Sequence, residues 1–247
     1  MRNIITLFKK ELMSFFYSPI AYIVMFLFLV MSGFVFSLIF SALNDPSAPS
    51  SGSVMEFFFG GLLMWFYVMP LCPALTMRSF AEERRTGTIE VLLTAPITDF
   101  QTVIAKFLAA WCFYVLLWAP TLLYVLILRH FIDFVDLGPI LTGYIGVLLV
   151  GGLFISIGLL TSSLSKNQIV AYIVALVASV ILFLLGIFEY VSRDSKLAGL
   201  FRYLNMFEHF QSFGRGILNT QYIVYYVSLT AIILFLTVRA VESRKWR

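Results

Sequence analysis

Apolar residues in this chain run on rather than alternate. Residues 20–43, 57–77, 107–128, 137–165, 167–188 and 221–238 hold no Asp, Glu, Lys or Arg. A helix needs about 20 residues to cross a bilayer, and it satisfies its own backbone in lipid. The pattern predicts an all-α integral membrane protein, a single transmembrane domain over residues 1–247 with six spans. Their bounds are about 20–43, 55–77, 103–128, 137–165, 167–188 and 221–240. Pro70 and Pro73 fall inside the second span and Pro120 inside the third, where proline is expected to kink a helix without ending it.

The remaining segments have their own patterns. In residues 2–17, Ile4, Phe8, Leu12, Phe15 and Phe16 recur at helical spacing, with Lys9, Lys10 and Ser14 on other faces. This predicts an amphipathic helix lying on the membrane surface before the chain turns inward at Ser18-Pro19. Residues 44–54 have the Pro, Ser, Asn and Gly chemistry of a short loop. Residues 189–220 are too charged to span. Their Leu197, Leu200, Phe201, Leu204, Phe207 and Phe210 predict short helices dipping into the outer leaflet as an extracytoplasmic re-entrant segment.

Composition agrees with the pattern. The chain is 61% hydrophobic and 12% charged, and the mean hydropathy is +0.96. Those values exclude a soluble enzyme, a nucleic-acid binder and a disordered chain, and continuous runs speak against a β-barrel. The net charge of +4 sits at segment ends, where it sets topology. With an inside N-terminus, Arg2, Lys9, Lys10, Arg78, Arg84, Arg85, Lys106, Lys166, Arg239, Arg244, Lys245 and Arg247 lie inside, leaving five of the 17 Lys and Arg outside. That bias predicts both termini in the cytoplasm. The first run is longer than a signal-peptide core and lacks a small-x-small site, so it is expected to be retained. Cys72 and Cys112 lie in apolar runs and read as small buried residues.

Several chemistries are missing from the sequence. None of the 15 glycines precedes Lys, so there is no P-loop, and His-Glu-x-x-His and Cys-x-x-Cys are absent too. His130 and His209 read as polar residues near the outer boundary, and Asp133 and Asp136 as solvated loop residues. The six runs lack the ionisable groups that ion-coupled carriers place at membrane depth. An intramembrane enzyme would lack its catalytic pair. An ATP-independent channel or carrier, and a scaffold that transmits force without moving solute, remain rivals to an ATP-driven transporter. Small residues recur one turn apart at Gly152/Ser156, Gly158/Ser162 and Ala171/Ala175/Ser179, a spacing that suits close helix packing within one subunit or between two.

The densest charge lies at residues 78–106. Gly87 can end one helix, and Thr88 can cap another with Glu90 in its first turn. Ile89, Leu92 and Leu93 share a face of that second helix, and Pro96 ends it. Thr98-x-x-Gln101 is a capping box that would start the third span. A capped helix with mixed charge and an apolar stripe suits docking in a partner's groove; the alternative is a solvated anchor.

The same residues carry a family resemblance. The run Met77-Arg78-Ser79-Phe80-Ala81-Glu82-Glu83, with Gly87-Thr88-x-Glu90-x-Leu92-Leu93-Thr94-x-Pro96, resembles the region between spans two and three of ABC-2 type permeases. Three further stretches match in order. They are Glu11-x-x-x-Phe15-Phe16-x-Ser18-Pro19-x-Ala21-Tyr22, Ser162-Ser163-Leu164-Ser165-x-Asn167-Gln168-Ile169, and Phe213-Gly214-Arg215-Gly216-Ile217. Together they are most similar to the gliding-motility-associated branch.

The resemblance implies a type V, ABC-2 permease-like fold in a bacterial inner membrane, functioning as an exporter or a mechanotransmission complex. It implies a second permease chain and two separate ATPase subunits that bind ATP and Mg, with no cofactor, metal or catalytic site in this chain. A periplasmic accessory protein often accompanies this branch, and nucleic acid is not a partner. Residues 1–19 would be the connecting helix, and residues 195–218 the outer re-entrant helices. Residues 79–95 would couple to the ATPase, with Glu82, Glu83, Arg84 and Arg85 making polar contacts. In the same segment Ile89 and Leu92 would make apolar contacts, Gly87 would form the bend, and Thr88 and Glu90 would complete the coupling set.

Overall fold

A computed structural model describes residues 2–43, 53–87, 98–131, 136–187, 199 and 202–243. Among the described residues there is no strand. The helices are α1 (Arg2–Tyr17), α2 (Pro19–Leu43), α3 (Val54–Gly60), α4 (Leu63–Thr76), α5 (Ala81–Arg85) and α6 (Asp99–Trp118). A 3-10 turn, Ala119–Thr121, leads into α7 (Leu122–Phe131), followed by α8 (Leu137–Leu164), α9 (Gln168–Ile187), α10 (Met206–Gly214) and α11 (Thr220–Glu242). Five helices are long and apolar enough to cross a membrane: α2, the α6–α7 run, α8, α9 and α11. The pair α3–α4, bent by 47°, makes a sixth if it is one span. The five fall on five of the six charge-free runs, and the bent pair falls on the second.

Local signals set the ends. Thr98 and Gln101 form the expected capping box of α6. Ser53, Asp136, Asn205 and Asn219 cap α3, α8, α10 and α11 through their side-chain oxygens. Asp136 is thus a cap rather than a merely solvated loop residue.

The second span breaks in an unexpected place. Pro70 and Pro73 lie within a continuous α4, whereas the 47° bend falls between Gly60 and Leu63. Gly61 takes an extended conformation there while its N–H still donates to Phe57 O. Gly60 and Gly214 let α3 and α10 cross closely, since a Cβ on Gly214 would press on the Glu56 carbonyl oxygen.

α8 is the hub. It packs on α3, α4, α6, α9, α10 and α11. Its sequence is apolar all round, as an enclosed helix requires. Glycines make the enclosure possible. A Cβ on Gly143 would overlap the Phe59 ring, on Gly146 the Phe213 ring, on Gly151 the Tyr114 ring, and on Gly158 the Thr76 hydroxyl. Ser156, Ser162, Ala171, Ala175 and Ser179 are buried as well, so these small-residue stripes serve packing within the chain. Gly152 faces Trp111. The outer faces of α2 and α9 stay exposed and apolar, through residues such as Phe26, Phe34, Ile173 and Ile181.

α1 is amphipathic as predicted, and it lies along α6. Leu7 is its most buried side chain, and Phe15 stacks on Phe113 with ring centroids 5.0 Å apart.

Candidate functional site

Three of the stretches singled out in the sequence meet at one end of the bundle. After α4 the chain turns through residues 77–80 into the single-turn helix α5, and Gly87, at φ +74, closes it. Glu82 and Glu83 begin α5 and Arg84 and Arg85 end it, the order that suits a helix dipole.

A single buried hydroxyl from α8 organises the turn. Ser162 Oγ accepts from Phe80 N at 3.0 Å and Ala81 N at 3.1 Å, and donates to Met77 O at 3.1 Å. A hydroxyl has one donor and two acceptor sites, so its capacity is filled. Arg84 reaches the other way. Its guanidinium donates to Ser163 O at 3.1 Å and Ser165 O at 2.9 Å, binding the carbonyl end of α8 where positive charge is favoured. Beyond it, Ser165 and Asn167 turn the chain into α9 through side-chain to backbone hydrogen bonds.

The third anchor is ionic. Lys106, on α6, is 2% exposed. Its Nζ donates to Glu83 at 2.7 Å and to Glu11 of α1 at 3.0 Å, and lies 5.2 Å from the centre of the Phe80 ring. Burying an ammonium is tolerable only with such company: two carboxylates for Coulomb attraction and an aromatic face on a third side. Arg78 donates to Ser18 Oγ at 3.3 Å, tying the same turn to the α1–α2 corner. A cavity of about 270 Å³ lies between α1, the start of α2, the end of α4 and α5. Lys10, Ser14, Arg78, Ser79 and Glu82 form part of its polar wall.

The predicted site residues therefore divide. Glu83 and Arg84, both half-buried, bond within the protein's own frame. Glu82 is half-buried beside the cavity, and Arg85, Thr86 and Gly87 are exposed. Thr88, Ile89, Glu90 and Leu92, with the rest of the apolar stripe, lie outside the described residues.

Lys106 was read in the sequence only as an inside-positive anchor. A signal did exist: Thr102, Val103, Lys106, Ala109, Ala110 and Phe113 fall at helical spacing on one buried face, so the lysine sits inside a stripe of small and apolar residues. Its partners, 23 and 95 residues away, could not be read from that stripe.

The fourth stretch lies at the other end. Gly214 sits against α3, Gly216 has φ +83, and Arg215 pairs with Glu56 at 3.2 Å. His209, expected at a polar boundary, is instead buried, stacked on Tyr222 at 4.0 Å with its Nδ1 3.3 Å from Tyr226 Oη. Burial lowers its pKa to about 4, so it is neutral near pH 7. His130 is exposed. Among the described residues no group of His, Cys, Asp or Glu could hold a metal ion, and Cys72 and Cys112 are free thiols.

Residues 44–241 match the family model described as ABC-2 family transporter protein. The chain belongs to the ABC-2 transporter family. It is the multi-pass permease subunit of an ABC transporter, of a kind that works with ABC ATPase subunits and carries no ATPase site itself. The matched segment takes in α3 to α10 and nearly all of α11, including the α5 turn and its anchors on α6 and α8. The permease's α1 and α2 precede it. No curated protein matches the chain.

Proposed function

We propose that this permease couples ATP hydrolysis by two separate ATPase subunits to rearrangement of its spans through the segment at residues 79–95. It would do so beside a second permease chain in a bacterial inner membrane, with both termini cytoplasmic. The gliding-motility-associated resemblance favours an exporter or a mechanotransmission complex, with a periplasmic accessory protein as a further partner. ATP and Mg belong to the ATPase.

One observation carries this reading. α5 is bonded to α8 through Ser162 and Arg84 and to α6 through Glu83, while Arg85, Thr86 and Gly87 remain on the surface. Force applied to that exposed edge has three routes into the bundle. The outward contacts are Glu82, Arg85 and Gly87, continued by Thr88, Ile89, Glu90 and Leu92. Glu83 and Arg84 hold the edge in place from behind.

Co-expression of the tagged permease with its ATPase subunit tests the proposal. Leu92→Asp puts an unpaired charge into the apolar part of the contact and should abolish ATPase capture. A joint Glu82→Ala and Arg85→Ala change should weaken capture by about tenfold, since rim ion pairs are individually weak. Full capture by both variants would refute the coupling role.

A further inference from the structure

Lys106 has a role that the coupling segment alone does not explain. α5 has anchors besides the ammonium: the Ser162 hydroxyl at its start and the Arg84 guanidinium on the end of α8. α1 is placed differently. Against α6 it has the rings Phe15 and Phe16 around Phe113, the buried Leu7, and the Glu11–Lys106 ion pair. These rings meet stacked and edge-on and hold the two helices together without joining α1 to α5. A charge pair adds a fixed register: moving either carboxylate leaves the buried ammonium with one counterion fewer.

We infer that Lys106 is the positioning residue that locks α1 to the α5 segment, so that the two move as one body over the inner end of α6. This rests on the coupling reading of the segment. It adds that the amphipathic helix is part of the moving unit, with its register set by a single ammonium shared between Glu11 and Glu83. The two carboxylates approach that ammonium from different elements, at 3.0 Å and 2.7 Å, and the Phe80 ring occupies a third side. Lys106 is therefore the point where α1, α5 and α6 are joined by charge. Loss of Lys106 uncouples α1 from α5.

Spin-label distances measured on the full chain in phosphatidylcholine nanodiscs test this. With Cys112→Ser and the buried Cys72 retained, labels at Met13→Cys and Leu108→Cys report α1 against α6. Labels at Arg85→Cys and Leu108→Cys report α5 against α6. Met13 and Leu108 are 55% and 38% exposed, and Arg85 is also at the surface. Lys106→Met should broaden the α1–α6 distribution roughly twofold and release the α5–α6 distance as well, because both elements lose the shared ammonium. Lys106→Arg should restore both.

Glu11→Gln should reproduce the α1 effect alone, and it decides the matter if Lys106→Met does not fold. An unchanged α1–α6 distribution in Lys106→Met or Glu11→Gln overturns the inference. In the complex with the ATPase, ATP should shift both distances together in the wild type and only the α5–α6 distance in Lys106→Met. A merely structural lysine would lower yield without separating the two motions. If the surface variants keep the ATPase while these distances behave as expected, the coupling reading fails and the lock stands.

Discussion

At the α5 end of the molecule, hydroxyls, carbonyls and charged side chains decide how the helices meet; at the α3–α10 end, aromatic rings seated against glycines decide it. Ser162 makes directional bonds that can be exchanged for bonds to a partner or to water at a net cost of about 1 kcal/mol, while the charged bonds of Arg84 and Lys106 hold more firmly. The rings of Phe59 and Phe213 fill the places that a Cβ on Gly143 and Gly146 would take, and contacts of that kind tolerate no half-displaced state. Tyr114 sits likewise on Gly151, nearer the middle of α8. A protein that must move at one end while staying assembled needs both chemistries. On the proposed coupling, α5 and its neighbours are the end that shifts and the opposite end is the fulcrum.

The difference can be broken in graded ways. The largest effect is expected at Lys106. Replacement by Met leaves Glu11 and Glu83 partly buried and facing each other, and should cost about 3 kcal/mol in a reversible detergent-unfolding titration, with Arg far better tolerated. Next is Gly151→Ala, which overpacks the Tyr114 ring and should cost about 1–3 kcal/mol in the same titration. Adding Tyr114→Phe should give no relief, because the contact is with ring carbons rather than the hydroxyl.

Ser162→Ala should cost about 1–2 kcal/mol, since it strips an acceptor from two N–H groups and a donor from Met77 O. Its counterpart at the other end, Thr142→Val, removes one hydrogen bond to Phe213 O and should cost less, about 1 kcal/mol. If Thr142→Val proves the costlier, polar bonding is not the distinguishing property of the α5 end.

The smallest effect is a pH dependence confined to the aromatic end. The folded pKa of His209 is about 4, below its ordinary value of 6.5. The unfolded chain therefore takes up the proton first as pH falls. The contribution of neutral His209 is complete above pH 6.5, declines between 6.5 and 4, and changes no further below that. Melting temperatures across this range should fall more for wild type than for His209→Phe. Parallel curves would remove His209 as the cause.

The sequence by itself determined the features that depend on near neighbours. Charge-free runs of span length set the all-helical class and the places of the apolar helices, because a backbone in lipid must satisfy its own hydrogen bonds. The Thr98–Gln101 box and the left-handed Gly87 ended their helices as read, since caps close within a few residues. Periodicity also gave α1 its apolar face.

What covers a face was decided only in three dimensions. Glu82 and Glu83 are adjacent in sequence and both line the cavity, yet it is Glu83 that reaches the buried Lys106, because successive side chains on a helix point about 100° apart. The second span bends at its glycines rather than its prolines because α10 crosses α3 closely there. His209 is buried because α11 brings Tyr222 and Tyr226 around it. Lys106 meets Glu11 across 95 residues of chain, and the packing of α1 along α6 turns an inside-positive lysine into the joint between α1, α5 and α6.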